Sequence, residues 1–244
     1  MFRRVARLLL SFVMISTGVL LGTVATTGTA HADECYTWSR TLSEGASGSD
    51  VTQLQIRVAG WVSSGERLSY DGQYGARTAA AVKKFQAAYG LPADGVAGPQ
   101  TYSKIYALQD PDCTPVHFSY AELNKCNSDW SGGAVSAATA KANALKTMWK
   151  LEAMRHALGD VPLTISSGFR SYSCNSAVGG SSTSRHLYGD AADLTGSPSL
   201  CRLAQEARTH GFSEILGPGY PDHNDHTHVA LDPSPYWSAP NCGI

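Results

Sequence analysis

The sequence predicts an α+β protein, with a small three-helix domain ahead of a domain in which helices give way to short strands. Three observations carry this expectation. Residues 41–108 combine helical apolar stripes with an internal repeat. DPDCTPV (110–116), with two prolines, reads as a linker. Beyond it comes one long Ala-, Lys- and Leu-rich helical stretch, followed by short alternating segments. The chain has 244 residues, 43% hydrophobic and 16% charged, which suits a soluble protein of one or two domains.

The chain opens with a basic start at Arg3, Arg4 and Arg7, an apolar run from Leu8, and the small-x-small triplet Ala30-His31-Ala32. This reads as an export signal over 1–32, removed after Ala32, rather than a retained anchor. The arginine pair is only a loose match to a twin-arginine signal, so ordinary secretion to the extracellular space or cell wall is the expected route. Cleavage removes three arginines and no acid, so the formal charge falls from −1 to −4. That leaves no basic field for nucleic acid or anionic lipid. No second stretch is long enough to span a bilayer.

In the first domain (33–114), DGQYGARTAAAV (71–82) is echoed by DGVAGPQTYSKI (94–105). In each copy Asp-Gly makes a turn, a second Gly follows, and a Thr precedes a helical pattern. Val51, Leu54, Val58 and Trp61 form one helical stripe, with Ser49 or Asp50 as its expected cap. Val82, Phe85 and Tyr89 form a second, stopped by Gly90, and Tyr102, Ile105 and Leu108 a third. In the second domain (115–244) the spacing predicts a helix over 135–158, with Ala138, Ala142, Leu145, Trp149 and Met154 near one face, ended by Gly159. Residues 161–169 alternate like a strand, 200–210 read as a short helix, and FSEIL (212–216) and THVAL (227–231) read as strands.

Six cysteines, Cys35, Cys113, Cys126, Cys174, Cys201 and Cys242, all follow the signal. An even count in an exported chain implies disulfides, and the absence of a CxxC pair argues against a zinc knuckle. Of the pairings that six cysteines allow, the simplest is sequential, which keeps each loop inside one domain. In the chain-entropy picture the 35–113 loop stabilises by at most about 4–5 kcal/mol.

The chemistry concentrates in two stretches, SRHLYGDAADL (184–194) and DHTHVALD (225–232). In a strand, His226, His228 and Ala230 point one way and Thr227, Val229 and Leu231 the other. Two imidazoles on one face, just after Asp222, His223 and Asp225, point to a metal site, and zinc is the natural metal for imidazole with carboxylate. In the first stretch Gly189 turns the chain between His186 and Asp193. Asp193 sits between Ala192 and Leu194, where an unpaired carboxylate is costly. A metal or an arginine would offset that cost, and the residues alone leave Asp190 and Asp193 as equal candidates. His117, His156 and His210 belong to no motif, and His223 is unassigned.

Two resemblances extend this reading. The pattern from GSDVTQLQIRV (48–58) through DGQYGARTAAAVKKFQAAYGLPADGVAGPQTYSKI (71–105) resembles the peptidoglycan-binding module of bacterial cell-wall hydrolases, which implies wall targeting. Ser184, His186, Gly189, Ala191 and Asp193 reproduce the S-x-H-x-x-G-x-A-x-D motif of the zinc D-Ala-D-Ala carboxypeptidase family. SSGFRS (166–171) resembles the Ser-Gly-aromatic-Arg segment of that family, and Asp225 three residues before His228 resembles its last motif. The resemblance covers essentially the whole chain after the signal.

It implies a zinc peptidase domain of the hedgehog/DD-peptidase type, with His186, Asp193 and His228 as zinc ligands and Asp225 as general base. Arg170 and His226 would face the developing oxyanion, and Ser184 and Arg170 the substrate. The implied reaction is hydrolysis of the D-Ala-D-Ala bond of peptidoglycan stem peptides by a monomeric secreted enzyme, with cross-link endopeptidase activity as a close variant. The family usually carries Glu as the base, so Asp225 departs from it by one methylene. The competing class is a non-catalytic peptidoglycan-binding protein with a structural zinc, since hedgehog signalling domains show that this fold need not be a peptidase. Serine acyl-enzyme chemistry is disfavoured, because the chain has no S-x-x-K.

Overall fold

A computed structural model describes residues 35–244. The expected signal segment lies outside the described residues. The architecture is α+β. Three helices, α1 (Ser49–Val58), α2 (Ala76–Ala88) and α3 (Pro99–Ala107), come first. They are followed by α4 (Tyr120–Leu123), the long α5 (Ala137–Ala157), α6 (Tyr172–Ala177) and α7 (Leu200–Thr209). One mixed sheet is built from β1 (Thr164–Ser167), β2 (Ala191–Thr195), β3 (Glu214–Leu216), β4 (Thr227–Ala230) and β5 (Tyr236–Ser238), in the order β1-β2-β4-β3-β5. Only the β3–β5 pair is parallel. Among the described residues no helix is long and apolar enough to cross a membrane.

The three predicted stripes supply the first core: Val51, Leu54, Val58, Val82, Phe85, Tyr102 and Ile105 are all buried there. The expected cap is corrected. α1 begins after Gly48, and Asp50 is drawn instead to Arg40 by an ion pair of 2.7 Å. The repeat has a physical origin that its apolar residues do not reveal. In the first copy the buried Gln55 Nε2 donates to Asp71 Oδ1, Gln73 O and Thr78 Oγ1, and its Oε1 accepts from Gly72 N. In the second, the buried Gln86 Nε2 donates to Asp94 Oδ1, Val96 O and Thr101 Oγ1, and its Oε1 accepts from Gly95 N. Each Asp-Gly turn is thus tied to the preceding helix by one amide that satisfies the buried polar groups around it.

The long helix also departs from its sequence reading. Ala138 and Ala142 are exposed, while Ala140, Ala144, Met148 and Leu151 face the core beneath the sheet. Trp149 and Ala153, on the other side, belong to the core of the three-helix bundle. Trp149 Nε1 donates to Cys113 O (3.1 Å), and a Cβ on Gly60 would press on Ala153 and Lys150. A helix buried on two sides has no single apolar stripe, which is why its phase was misread. Three disulfides join Cys35 to Cys113, Cys126 to Cys174 and Cys201 to Cys242.

Three outcomes follow from this packing. Gln86→Ala strands Gly95 N and its neighbours, so unfolding in denaturant should show a loss of about 1–3 kcal/mol. Trp149→Ala should cost about 3–5 kcal/mol and destabilise both parts of the chain in one transition. The third concerns Lys150, whose buried Nζ donates to Gly211 O (2.6 Å); burial, aided by Arg67, lowers its pKa to about 7. An unfolded lysine titrates near ~10.4, so between those values the unfolded chain binds more protons and stability rises with pH. Denaturant midpoints across that window should rise in the native chain, and Lys150→Met should flatten the slope.

Candidate metal centre

The centre is organised by strand pairing. In the antiparallel β2–β4 ladder Asp193 lies directly opposite His228, so their side chains leave the same face as neighbours. His186 arrives from a single 3-10 turn, Arg185–Tyr188, immediately before β2. Gly189 ends that turn at φ 76°, and a Cβ there would collide with Ala140 O of α5. The glycine of the motif is therefore required both by backbone conformation and by helix contact. β1 flanks β2 through a bulge between Ile165 and Ser167, and the chain leaving β1 carries Gly168 and Arg170 to the same place.

The distances are short. His186 Nε2 lies 3.1 Å from Asp193 Oδ1 and 3.1 Å from His228 Nδ1, and His228 Nδ1 lies 2.9 Å from Asp193 Oδ1. All three residues are buried. His186 Nδ1 donates to Gly168 O (2.6 Å), which fixes its tautomer and turns the Nε2 lone pair inward. Glu214 Oε1 lies 3.2 Å from His228 Nε2, a close charge contact on the outer edge of the second imidazole. β3–β4 pairing places Glu214 diagonally across from His228.

The donor set suits a divalent cation. Three lone-pair atoms converge on one point, and tetrahedral zinc with bonds of about 2.0–2.1 Å sets such atoms roughly 3.3 Å apart. The electrostatics point the same way. Burial acts to raise the Asp193 carboxyl, but His186 and His228 outweigh it and hold the group far below the usual carboxylate range. Burial acts to lower His228, but Asp193 and Glu214 outweigh it and push its imidazole up to about 9. The negative field that favours a proton at this spot favours a metal dication equally. His186, by contrast, is lowered by burial, the state in which an imidazole offers its lone pair.

The choice left open between the two aspartates is decided by an arginine. Asp190 is held by Arg185 through both guanidinium Nε (3.1 Å) and Nη2, while Asp193 is left for the imidazoles. Arg170 Nη2 donates to Asp193 Oδ2 (2.6 Å) and its Nε to Ser167 Oγ (2.9 Å), so the guanidinium orients the carboxylate from behind. Asp225 is 89% exposed, and its Oδ1 accepts from His226 Nδ1 (2.7 Å). The other edge of that ring faces the centre, with His226 Nε2 3.7 Å from Asp193 Oδ1. Ser184 is half-buried just ahead of the 3-10 turn. His223, unassigned from sequence, packs its ring 4.7 Å from that of His226 and 6.1 Å from that of His228. Glu214 was missed altogether, although an acid between Phe212 and Ile215 in the FSEIL strand was the available signal. The three histidines without a motif lie elsewhere, each beside a carboxylate: His117 on Glu152, His156 on Asp160 and His210 on Glu206.

Replacing His186, Asp193 or His228 with Ala should lower bound zinc well below one equivalent, read by metal analysis after dialysis. Glu214→Gln should keep the fold but weaken zinc affinity by about 10–100-fold, the usual weight of a group that orients a ligand imidazole.

Comparison with known proteins places this geometry. Residues 116–230 match the Peptidase M15 family, and residues 47–105 match a putative peptidoglycan binding domain. The zinc D-Ala-D-Ala carboxypeptidase of Streptomyces albus G is 70% identical over 213 residues, which is 87% of this chain and 84% of that protein. A probable N-acetylmuramoyl-L-alanine amidase of Bacillus licheniformis is 43% identical over 65 residues, 25% of this chain and 18% of that protein. A solved SleB N-terminal domain matches 30% of this chain and 96% of its own, at 34% identity and a TM-score of 0.27. With a relative this similar over most of both chains, and with the family match spanning every residue of the buried His-Asp-His cluster, the protein belongs to the M15 peptidase family.

Proposed function

We propose that this chain is a zinc D-Ala-D-Ala carboxypeptidase that removes the terminal D-alanine from peptidoglycan stem peptides. In this reading residues 1–32 are a cleaved export signal, 33–114 a wall-targeting module and 115–244 the catalytic domain, and the mature protein acts as a secreted monomer. The observation that carries the reaction is the convergence of His186 Nε2, Asp193 Oδ1 and His228 Nδ1 within about 3 Å of one another, in a chain 70% identical to a carboxypeptidase of that name. Those three residues would hold the zinc. When bound, the ion supplies Lewis-acid polarisation and a nucleophilic water at neutral pH.

The remaining work falls to side chains around that cluster. Arg170 keeps Asp193 ionised and turned, and its Nη1, which bonds neither Asp193 nor Ser167, would meet negative charge on the substrate. Asp225 stays ionised because the bond from His226 lowers its pKa. Its Oδ2, not engaged by His226, accepts the proton of the attacking water and later delivers it to the departing amine. His226, with Nε2 toward the centre, donates to the developing oxyanion. A second reading is favoured by the Asp225–His226 bond itself: the imidazole would take the proton, with Asp225 orienting it from the outer edge. Ser184, on the approach to the His186 turn, contributes to substrate binding.

Release of D-alanine from an acyl-D-Ala-D-Ala peptide, abolished by chelator and restored by zinc, is the expected activity. Product analysis on cross-linked peptides separates it from endopeptidase action, and no release at full zinc loading would leave a wall-binding protein with a structural metal. Asp225→Asn should keep zinc and lose turnover by about 10²–10⁴-fold. If His226→Gln falls as far and Asp225→Asn only modestly, the imidazole is the base.

A further inference from the structure

Away from the metal centre, a cavity of about 350 Å³ opens along the seam between the three-helix bundle and the sheet domain. The bundle contributes Arg67, Ser69, Tyr70 and Arg77, and the sheet domain contributes Lys150 and Ser213. Its size falls at the lower end of small-molecule sites, about 300–1,000 Å³. Arg67 and Arg77, both exposed, are guanidinium cations, Lys150 is an amine whose charged form burial disfavours, and none of the three has an acidic partner. Lys150 Nζ, fully buried, has only Gly211 O. Arg67 Nη1 donates to two backbone carbonyls, Asp232 O and Pro233 O, both at 3.0 Å. The nearby Asp232 carboxylate is committed to Ser234 N (2.7 Å) and lies 3.7 Å from Arg185. Among the described residues no carboxylate comes within ion-pair distance of Lys150, Arg67 or Arg77. Tyr70 adds a buried hydroxyl with no hydrogen-bond partner.

A chain of negative net charge that gathers two exposed guanidinium groups and one buried amine around a single hollow leaves a local excess of positive charge with no carboxylate to share it, and an anion seated there would favour the protonated form of Lys150. We infer that this cavity is a binding site for a phosphate-type oxyanion, held jointly by the two parts of the chain. Phosphate fits better than a single carboxylate, because its several acceptor oxygens can take donors arriving from different sides: two guanidinium groups, an ammonium and hydroxyls. Two sources share this chemistry, free inorganic phosphate and the phosphodiesters of an anionic wall polymer. Because the donors come from both parts of the chain, occupancy stabilises the seam.

The test titrates the full mature, zinc-loaded chain with inorganic phosphate at constant ionic strength, chloride being the balancing ion, and follows thermal unfolding. The midpoint should rise saturably. Arg77→Gln, an exposed change that leaves the fold intact, should raise the apparent Kd at least about tenfold, the weight of one charge-assisted hydrogen bond. Lys150→Met, where it folds, should abolish the saturable rise. A rise that is linear and equal in the native and Arg77→Gln chains is general salting, and it overturns the site. So does saturable binding of equal strength in both, which would place phosphate at the metal centre. Competition by a glycerol phosphodiester oligomer assigns the wall polymer as the source, and its absence assigns the free ion.

Discussion

The structure turns on one buried carboxylate. Asp193 is surrounded by Ala192, Leu194 and the core beneath β2, where an isolated negative charge would protonate rather than persist. It stays ionised because its two oxygens have separate partners: Arg170 takes Oδ2 from behind, and two imidazoles crowd Oδ1 in front. Much of the local fold serves this arrangement. The β2–β4 register sets His228 opposite, the glycine-ended turn before β2 brings in His186, and the bulge after Ile165 lets the chain leaving β1 carry Arg170 across. Gly168 O fixes the outer edge of one imidazole, and the Glu214 carboxylate faces the outer edge of the other.

A second constraint is the shared use of α5. Its Ala140–Ala144–Met148–Leu151 face closes the core under the sheet, and Ala140 also presses on Gly189 of the metal-site turn. Its opposite side gives Trp149 and Ala153 to the helical bundle. The wall-binding module is therefore not merely tethered by the proline linker. Its interior is completed by a helix that also packs against the turn carrying His186.

The Asp225–His226 pair shows how spacing along the chain leaves the placement of two neighbouring side chains open. Spacing along the chain puts an acid three residues ahead of His228. Folding leaves that acid in solvent and brings the intervening imidazole to the centre, its ring tilted against that of His223. Asp225 and Asp193 face opposite edges of the His226 ring, and which edge each takes is a property of the loop before β4.

By itself, the sequence determined the α+β class, the three-helix bundle from its apolar stripes, the approximate limits of α5, α7 and the strand before Arg170, and the two stretches whose histidines and aspartates meet. These are local properties: periodicity and turn residues act over a few residues and are legible there. Tertiary structure decided what depends on residues distant in the chain. Asp193 rather than Asp190 faces the imidazoles because Arg185 claims the latter. Glu214 reaches His228 only through β3–β4 register. Gln55 and Gln86 tie the repeated turns through bonds that no apolar pattern records. The phase of α5 was misread because two cores bury it from opposite sides, and hydrophobic periodicity describes a helix with one buried face.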